Sequence, residues 1–223
     1  MADLVPPQLV VDSRMIYFGW LPADPDAVAA LVPDGLKPAA DRRVFMNQYV
    51  VDRPEQTSGF GAYSLTYIGP DLEDAYAPDG VTPGRWWTHY FNSSAVVREY
   101  AAARGVPATP GRTVIEVEDG RLVATTEADG VPVIRTTARV GETGTAVNRG
   151  QLRYITEAGG RRMSGIYPFV AEPVDPFEVL SLEFLEPGHP VHALRPADPL
   201  QVVWGFYSPR SSFAYPGGES AMD

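Results

Sequence analysis

Three two-residue turn signals punctuate the second half of the chain: Asp119-Gly120, Asp129-Gly130 and Gly159-Gly160. Such pairs supply the left-handed backbone that a tight hairpin turn requires, and they force the flanking segments to run antiparallel. The flanking runs have strand composition, which predicts strands over 112–118, 121–128, 131–140, 150–157 and 161–169, with two more near 179–186 and 200–207. The first half adds aromatic and β-branched runs at 14–20 (RMIYFGW), 43–52 (RVFMNQYVVD), 60–69 (FGAYSLTYIG) and 85–92 (RWWTHYFN). The 22 prolines and 21 glycines among 223 residues fit many short elements joined by turns. Helices are few. Asp24 before Pro25 caps a short helix over 25–32, and Asn92 or Ser93 caps a second over 94–104 that Gly105 stops. Residues 70–84 carry three prolines and two glycines and read as a long loop. The chain is therefore expected to be mainly β (α+β), one domain over 1–223 with a barrel-like or sandwich-like body and two short helices. The tail from Pro216 is expected to fray.

Several function classes fall away. A formal net charge of −10 repels phosphate backbones, so nucleic acid is not an expected partner. With no cysteine there is no disulfide, no thiolate nucleophile and no thiolate metal site. No apolar run approaches the roughly 20 residues that span a bilayer, and the N-terminus lacks the pattern of a signal peptide, so a cytoplasmic protein off the membrane is expected. Phosphate-binding glycine loops, dinucleotide fingerprints and G-x-S-x-G elbows are missing, so no cofactor is expected. His189 and His192 lie in HPVH without a neighbouring carboxylate, which reads as a surface loop and not a metal site. Glu116 and Glu118 share one strand face but run into a turn, as a solvated strand end does.

The aromatic cluster offers more. Tyr49, Tyr63, Tyr67, Trp86, Trp87, Tyr90 and Phe91 fall on three predicted strands, and alternation sends half of them inward. They either pack a core or line an apolar pocket with phenol handles, to which Asn47, Gln48, His89 and Asn92 add polar groups.

Four phrases then resemble the acetoacetate decarboxylase family. They are Arg14 with the strand, Asp24, Asp26 and LVPDGL (31–36); SGFGAY (58–63); SAVVREYAAARGVP (94–107); and DGRLVATTEADG (119–130). Together they cover roughly the first 140 residues in order. The resemblance implies a cone-shaped antiparallel β barrel with the ligand site inside, a small carbonyl acid as substrate, and a homo-oligomer. It also exposes departures. The family's Schiff-base lysine pair follows the Arg-Glu helix, but the matching stretch here, 101–107, holds no lysine; Arg104 lies nearest, and a guanidinium forms no imine. The family's two active-site glutamates fall near Met46 or Asn47 and near Leu65. The one lysine of the chain, Lys37, follows a turn and reads as a surface residue.

These readings make the chain a cofactor-free lyase or cyclase of secondary metabolism, acting on a small unsaturated or poly-carbonyl compound. Arg14 is expected to anchor a carboxylate or enolate, with Glu99 or His89 as acid/base. Gln48, Tyr63, Trp87, Tyr90, Asn92 and Arg98 are expected to line the substrate. Arg98 with Glu99 reads equally as an ion pair holding the helix, and His89 as a core histidine. One alternative is a non-catalytic binding protein on the same barrel; another is residual decarboxylase or aldolase activity through Lys37. Convergence of Arg14, His89 and Glu99 on a closed cavity would favour catalysis, and a purely apolar cavity would favour binding.

Overall fold

A computed structural model describes residues 4–222. The strands are β1 (Gln8–Trp20), β2 (Lys37–Pro38), β3 (Val44–Val51), β4 (Tyr63–Glu73), β5 (Gly84–Trp86), β6 (His89–Asn92), β7 (Ala108–Glu118), β8 (Arg121–Ala128), β9 (Val131–Thr143), β10 (Asn148–Ala158), β11 (Arg161–Glu172), β12 (Val174–Phe184), β13 (Val202–Tyr215) and β14 (Ser220–Ala221). Two α-helices, α1 (Pro25–Ala29) and α2 (Ala95–Ala102), interrupt them.

Seven strands close into a ring in the order β4-β3-β1-β13-β11-β10-β5, with β5 pairing back onto β4. Closure satisfies the backbone groups that an open edge would expose. A second run, β6-β7-β8-β9-β12, branches from β4 and lies over the outside of the barrel. Two cores result. Ile16, Phe18, Trp20, Val44 and Met46 point out of the barrel and pack with Ile115, Leu122, Ala124, Ile134 and Leu182 of the covering layer. Tyr17, Tyr49, Tyr63, Tyr67, Trp87 and Tyr167 point inward with Leu152 and Phe213. The split follows from strand alternation alone, since neighbouring residues on β1 and β3 go to opposite cores.

The expected turns form. Asp119 and Gly120 take φ of 47° and 74°, and Asp129 and Gly130 take 49° and 82°, joining β7 to β8 and β8 to β9. The Asp24 side chain accepts from Ala27 N at 2.9 Å and starts α1, and the Ser94 side chain starts α2.

Three expectations change. The run 85–92 is not one strand: β5 pairs with β10 and β4, whereas β6 pairs with β4 and β7, so the chain turns between them at Trp87 and Thr88. The loop predicted over 70–84 is shorter, because β4 continues to Glu73 by pairing with β2 and β5. The tail predicted to fray from Pro216 is paired: Ala221 and Ser220 sit opposite Met163 and Ser164 of β11, and Met222 N donates to Arg162 O at 3.0 Å.

Candidate functional site

The barrel interior holds polar groups at two levels joined by stacked rings. At one level, Arg85 is buried and its Nε lies 3.1 Å from Asp71 Oδ1, a carboxylate that is only 1% exposed. The guanidinium carbon lies 4.8 Å from the Tyr17 ring centre and 4.9 Å from that of Phe45, and Nη1 donates to Tyr17 Oη. Burial works against the Arg85 charge, but the Tyr17 and Asp71 oxygens hold it protonated beyond the ordinary range. Burial pushes the Asp71 carboxyl up while Arg85 pulls it back. Beside this pair, Asn47 Nδ2 donates to Tyr67 Oη at 2.8 Å, and Tyr67 Oη is hydrogen-bonded to Tyr167 Oη. Asn47 Oδ1 is buried with no partner.

From there a stack leads to the second level. Trp87 lies 4.7 Å from Tyr67 on one side and 4.7 Å from Tyr154 on the other. Beyond it is a small cavity of about 20 Å³, lined among others by Trp87, Tyr90, Tyr100, Arg104, Tyr154 and Tyr215. That is room for roughly one water. Helix α2 sets one wall: Val97, Tyr100 and Ala101 face the interior because they recur at helical spacing. Just past the helix, Arg104 folds back so that its guanidinium carbon lies 3.6 Å from the Tyr100 ring centre, and Nη1 donates to Tyr100 O at 2.9 Å. Arg104 Nε lies 3.1 Å from Glu219 Oε1 but off the N–H direction, so the pair is ionic without a directed Nε hydrogen bond. Tyr154 Oη donates to the same carboxylate oxygen at 2.9 Å. Tyr100 Oη and Asn92 Nδ2 are buried without partners. Burial raises the Tyr90, Tyr100, Tyr154 and Tyr215 phenols above their usual value, so at neutral pH each is a protonated O–H donor.

The predicted site residues divide. Trp87 and Tyr90 line the cavity; Tyr63 packs in the same inner core, its Oη hydrogen-bonded to Tyr49 Oη at 2.8 Å, and Asn92 is buried, but neither lines the cavity. Arg14, Gln48, His89, Arg98 and Glu99 do not reach the cavity. Arg14 lies on the outer face of β1, hydrogen-bonded twice to Asp52 at 2.8 and 2.6 Å, and that partner raises its pKa. Gln48 points into the layer between barrel and cover, donating to Thr126 Oγ1 and accepting from Thr136 Oγ1, both at 2.9 Å. His89 also faces outward, 5.9 Å from the Phe91 ring and 6.0 Å from that of His189. Burial, then the neighbouring His189, holds its pKa down to about 4. Arg98 donates to Asn92 O at 2.8 Å, which ties α2 back to β6, and Glu99 is exposed on α2. Lys37 is a surface residue, 70% exposed and 2.7 Å from Asp74. Among the described residues, no group of three or more His, Asp or Glu is placed to hold a metal ion. No helix among them is long and apolar enough to cross a membrane.

Nothing in the sequence alone marks Asp71, Tyr154, Tyr167 or Glu219 as site residues; for Arg85 the signal is an arginine opening the aromatic run 85–92. The others come from distant segments that meet only when the barrel closes.

No family model matches this sequence, and no curated protein sequence does. Solved structures do resemble it. An acetoacetate decarboxylase from Legionella pneumophila superposes with a TM-score of 0.68 at 14% identity, over 98% of this chain and 88% of that one. The enduracididine biosynthesis enzyme MppR, complexed with pyruvate, gives 0.67 at 17% identity, over 100% and 93%. An acetoacetate decarboxylase-like enzyme from Sphingomonas wittichii RW1 gives 0.61 at 12% identity, over 100% and 98%. The chain therefore has the acetoacetate decarboxylase-like fold.

Proposed function

We propose that this acetoacetate decarboxylase-like barrel is a cofactor-free enzyme of lyase or cyclase type. It acts on a small carbonyl acid in secondary metabolism, without a Schiff base. The observation that carries the reading is the cavity beside α2, where a guanidinium and several protonated phenols converge and no lysine is present. Decarboxylation through an imine needs a primary amine as electron sink. Without one, the chemistry open to this site is binding a carbonyl compound in one conformation and stabilising an enolate as it develops. Arg104 supplies fixed positive charge, and Tyr90, Tyr100 and Tyr154 supply O–H donors in a site largely free of water, where such dipoles act strongly. Dehydration, condensation or cyclisation of a keto acid passes through such an enolate, with the α-proton taken up by a base that the substrate or solvent supplies. The pyruvate complex of MppR, a protein of the same fold, points to the same ligand class.

A second reading, a binding protein without catalysis, is favoured by one observation. Arg14, His89 and Glu99, the anchor and acid/base groups expected from the sequence, all lie away from the cavity. The cavity is not purely apolar either, since Arg104 and Tyr154 line it. One experiment separates the two. Wild type, Arg104→Gln and Lys37→Ala would be incubated with a panel of 2-oxo and 3-oxo acids, alone and with aldehydes, and products followed by NMR. The enzyme reading expects turnover by wild type and Lys37→Ala and its loss in Arg104→Gln. Ligand binding without product would replace it with the binding reading, and loss of turnover in Lys37→Ala would restore amine chemistry.

A further inference from the structure

A carboxylate of the protein itself is bound to two residues of the cavity wall, Arg104 and Tyr154. Glu219 is the fourth residue beyond the end of β13, yet its side chain is 13% exposed and reaches both Arg104 Nε and Tyr154 Oη with one oxygen. The backbone is shaped for this. Gly217 and Gly218 take φ of 74° and 77°, which swings the chain inward before the ladder with β11 resumes at Ser220. A side chain at Gly217 would strike Pro6 as well as strain the backbone.

Glu219 is held loosely for so buried a charge. Its ion pair with Arg104 is off the Nε–H direction, so the two-pronged fork that arginine offers a carboxylate is not satisfied. Among the described residues, the segment beyond it is secured by two residue pairs with β11, the Met222–Arg162 hydrogen bond and packing of Met222 against Leu72, Ala75 and Ile155. Beside it, Tyr100 Oη has no partner, a buried donor waiting for an acceptor. The cavity of about 20 Å³ that these side chains leave is too small for any carbonyl acid.

We propose that Arg104 and Tyr154 are the carboxylate subsite of this barrel and that Glu219 is its resident stand-in, displaced when a small monocarboxylate binds. Beyond its Cα a glutamate side chain has the heavy atoms of propionate, so its departure frees a seat of that size. The carboxylate of the ligand takes the Arg104 fork and Tyr154 O–H, its short chain enters the space bounded by Trp87 and Tyr90, and Tyr100 Oη becomes available to a carbonyl or hydroxyl on it. The C-terminal segment is thus a latch that sets affinity, and Arg104 and Tyr154 decide the substrate class. This deepens the function proposed above and rests on the same cavity.

Calorimetric titration tests it, with propionate, which has no reactive carbonyl, and with pyruvate. The proteins are wild type, Glu219→Gln, a chain ending at Gly218, and Glu219→Gln with Arg104→Gln, each checked for cooperative melting. Because a closed latch multiplies the apparent affinity by the open fraction, either latch variant is expected to bind both acids about tenfold or more tighter than wild type. The gain is expected to vanish in the double variant. Affinity unchanged or weakened in both latch variants, a gain that survives Arg104→Gln, or no binding by any of the four overturns the proposal. The outcomes are independent of turnover. Tighter propionate without any product leaves the latch standing and removes the enzyme, and turnover with unchanged affinities does the reverse.

Discussion

Asn47 and Gln48 are consecutive, both fully buried and both primary amides, yet they live in different worlds. Gln48 faces the layer between barrel and cover, where both ends of its amide are engaged by Thr126 and Thr136, and Thr66 and Thr113 extend the network. Asn47 faces the barrel interior, where its nitrogen meets Tyr67 Oη but its oxygen has nothing. The same contrast holds more widely. The outer layer is mostly aliphatic, with Phe18, Trp20 and Phe91 among its members, and its buried threonines are hydrogen-bonded, while the interior is dominated by tyrosines, contains Arg85 and the Arg104–Glu219 pair, and holds orphaned atoms at Asn47, Asn92 and Tyr100. A fully paired buried network fixes a fold. Incomplete pairing around charges marks the region with capacity for a ligand.

The sharpest way to break this contrast is at the interior ion pair. Asp71→Asn strands the Arg85 charge and is expected to lower stability by about 3–5 kcal/mol in urea unfolding, whereas replacing both by apolar residues should recover much of it. If Asp71→Asn costs nothing, the interior charges are not coupled as described. Next comes the amide pair itself. Gln48→Leu leaves the Thr136 hydroxyl without its acceptor and is expected to cost about 1–3 kcal/mol; Asn47→Leu removes one bond to Tyr67, whose hydroxyl keeps Tyr167, along with an oxygen that was already unpaired, and is expected to cost less. Equal losses would erase the distinction between the two regions.

The last effect is one of pH, on the outer face, and it accrues only as the solution is acidified. His89 titrates near 4 in the folded state against 6.5 for the free side chain, so between these values the unfolded chain binds the extra proton. Stability should therefore fall as pH is lowered from 6.5, with a slope of up to about 1.4 kcal/mol per unit. His89→Gln should remove that component between pH 6.5 and 5; unchanged pH dependence would mean that His89 is solvated and not held in the layer against Phe91 and His189.

Much of the architecture could be read from residues alone. The Asp-Gly and Gly-Gly turns fixed the hairpins, and alternation on the runs at 14–20 and 43–52 separates inward from outward residues once one face is assigned. Assigning the face was the harder step. Gln48, His89 and Arg14 are polar residues near aromatic ones, and nothing local says that a buried layer exists on both sides of β3 and β6. The interior partners are harder still, because Tyr154 and Glu219 come from the third hairpin and the tail and meet Arg104 only through closure of the ring. The absent lysine, by contrast, was plain from composition and needed no geometry.

The central claim is that the site works without an imine. Intact-mass measurement after incubation with pyruvate and cyanoborohydride tests it most directly. An unmodified mass is predicted, and a reduced pyruvyl adduct mapped to Lys37 would contradict it.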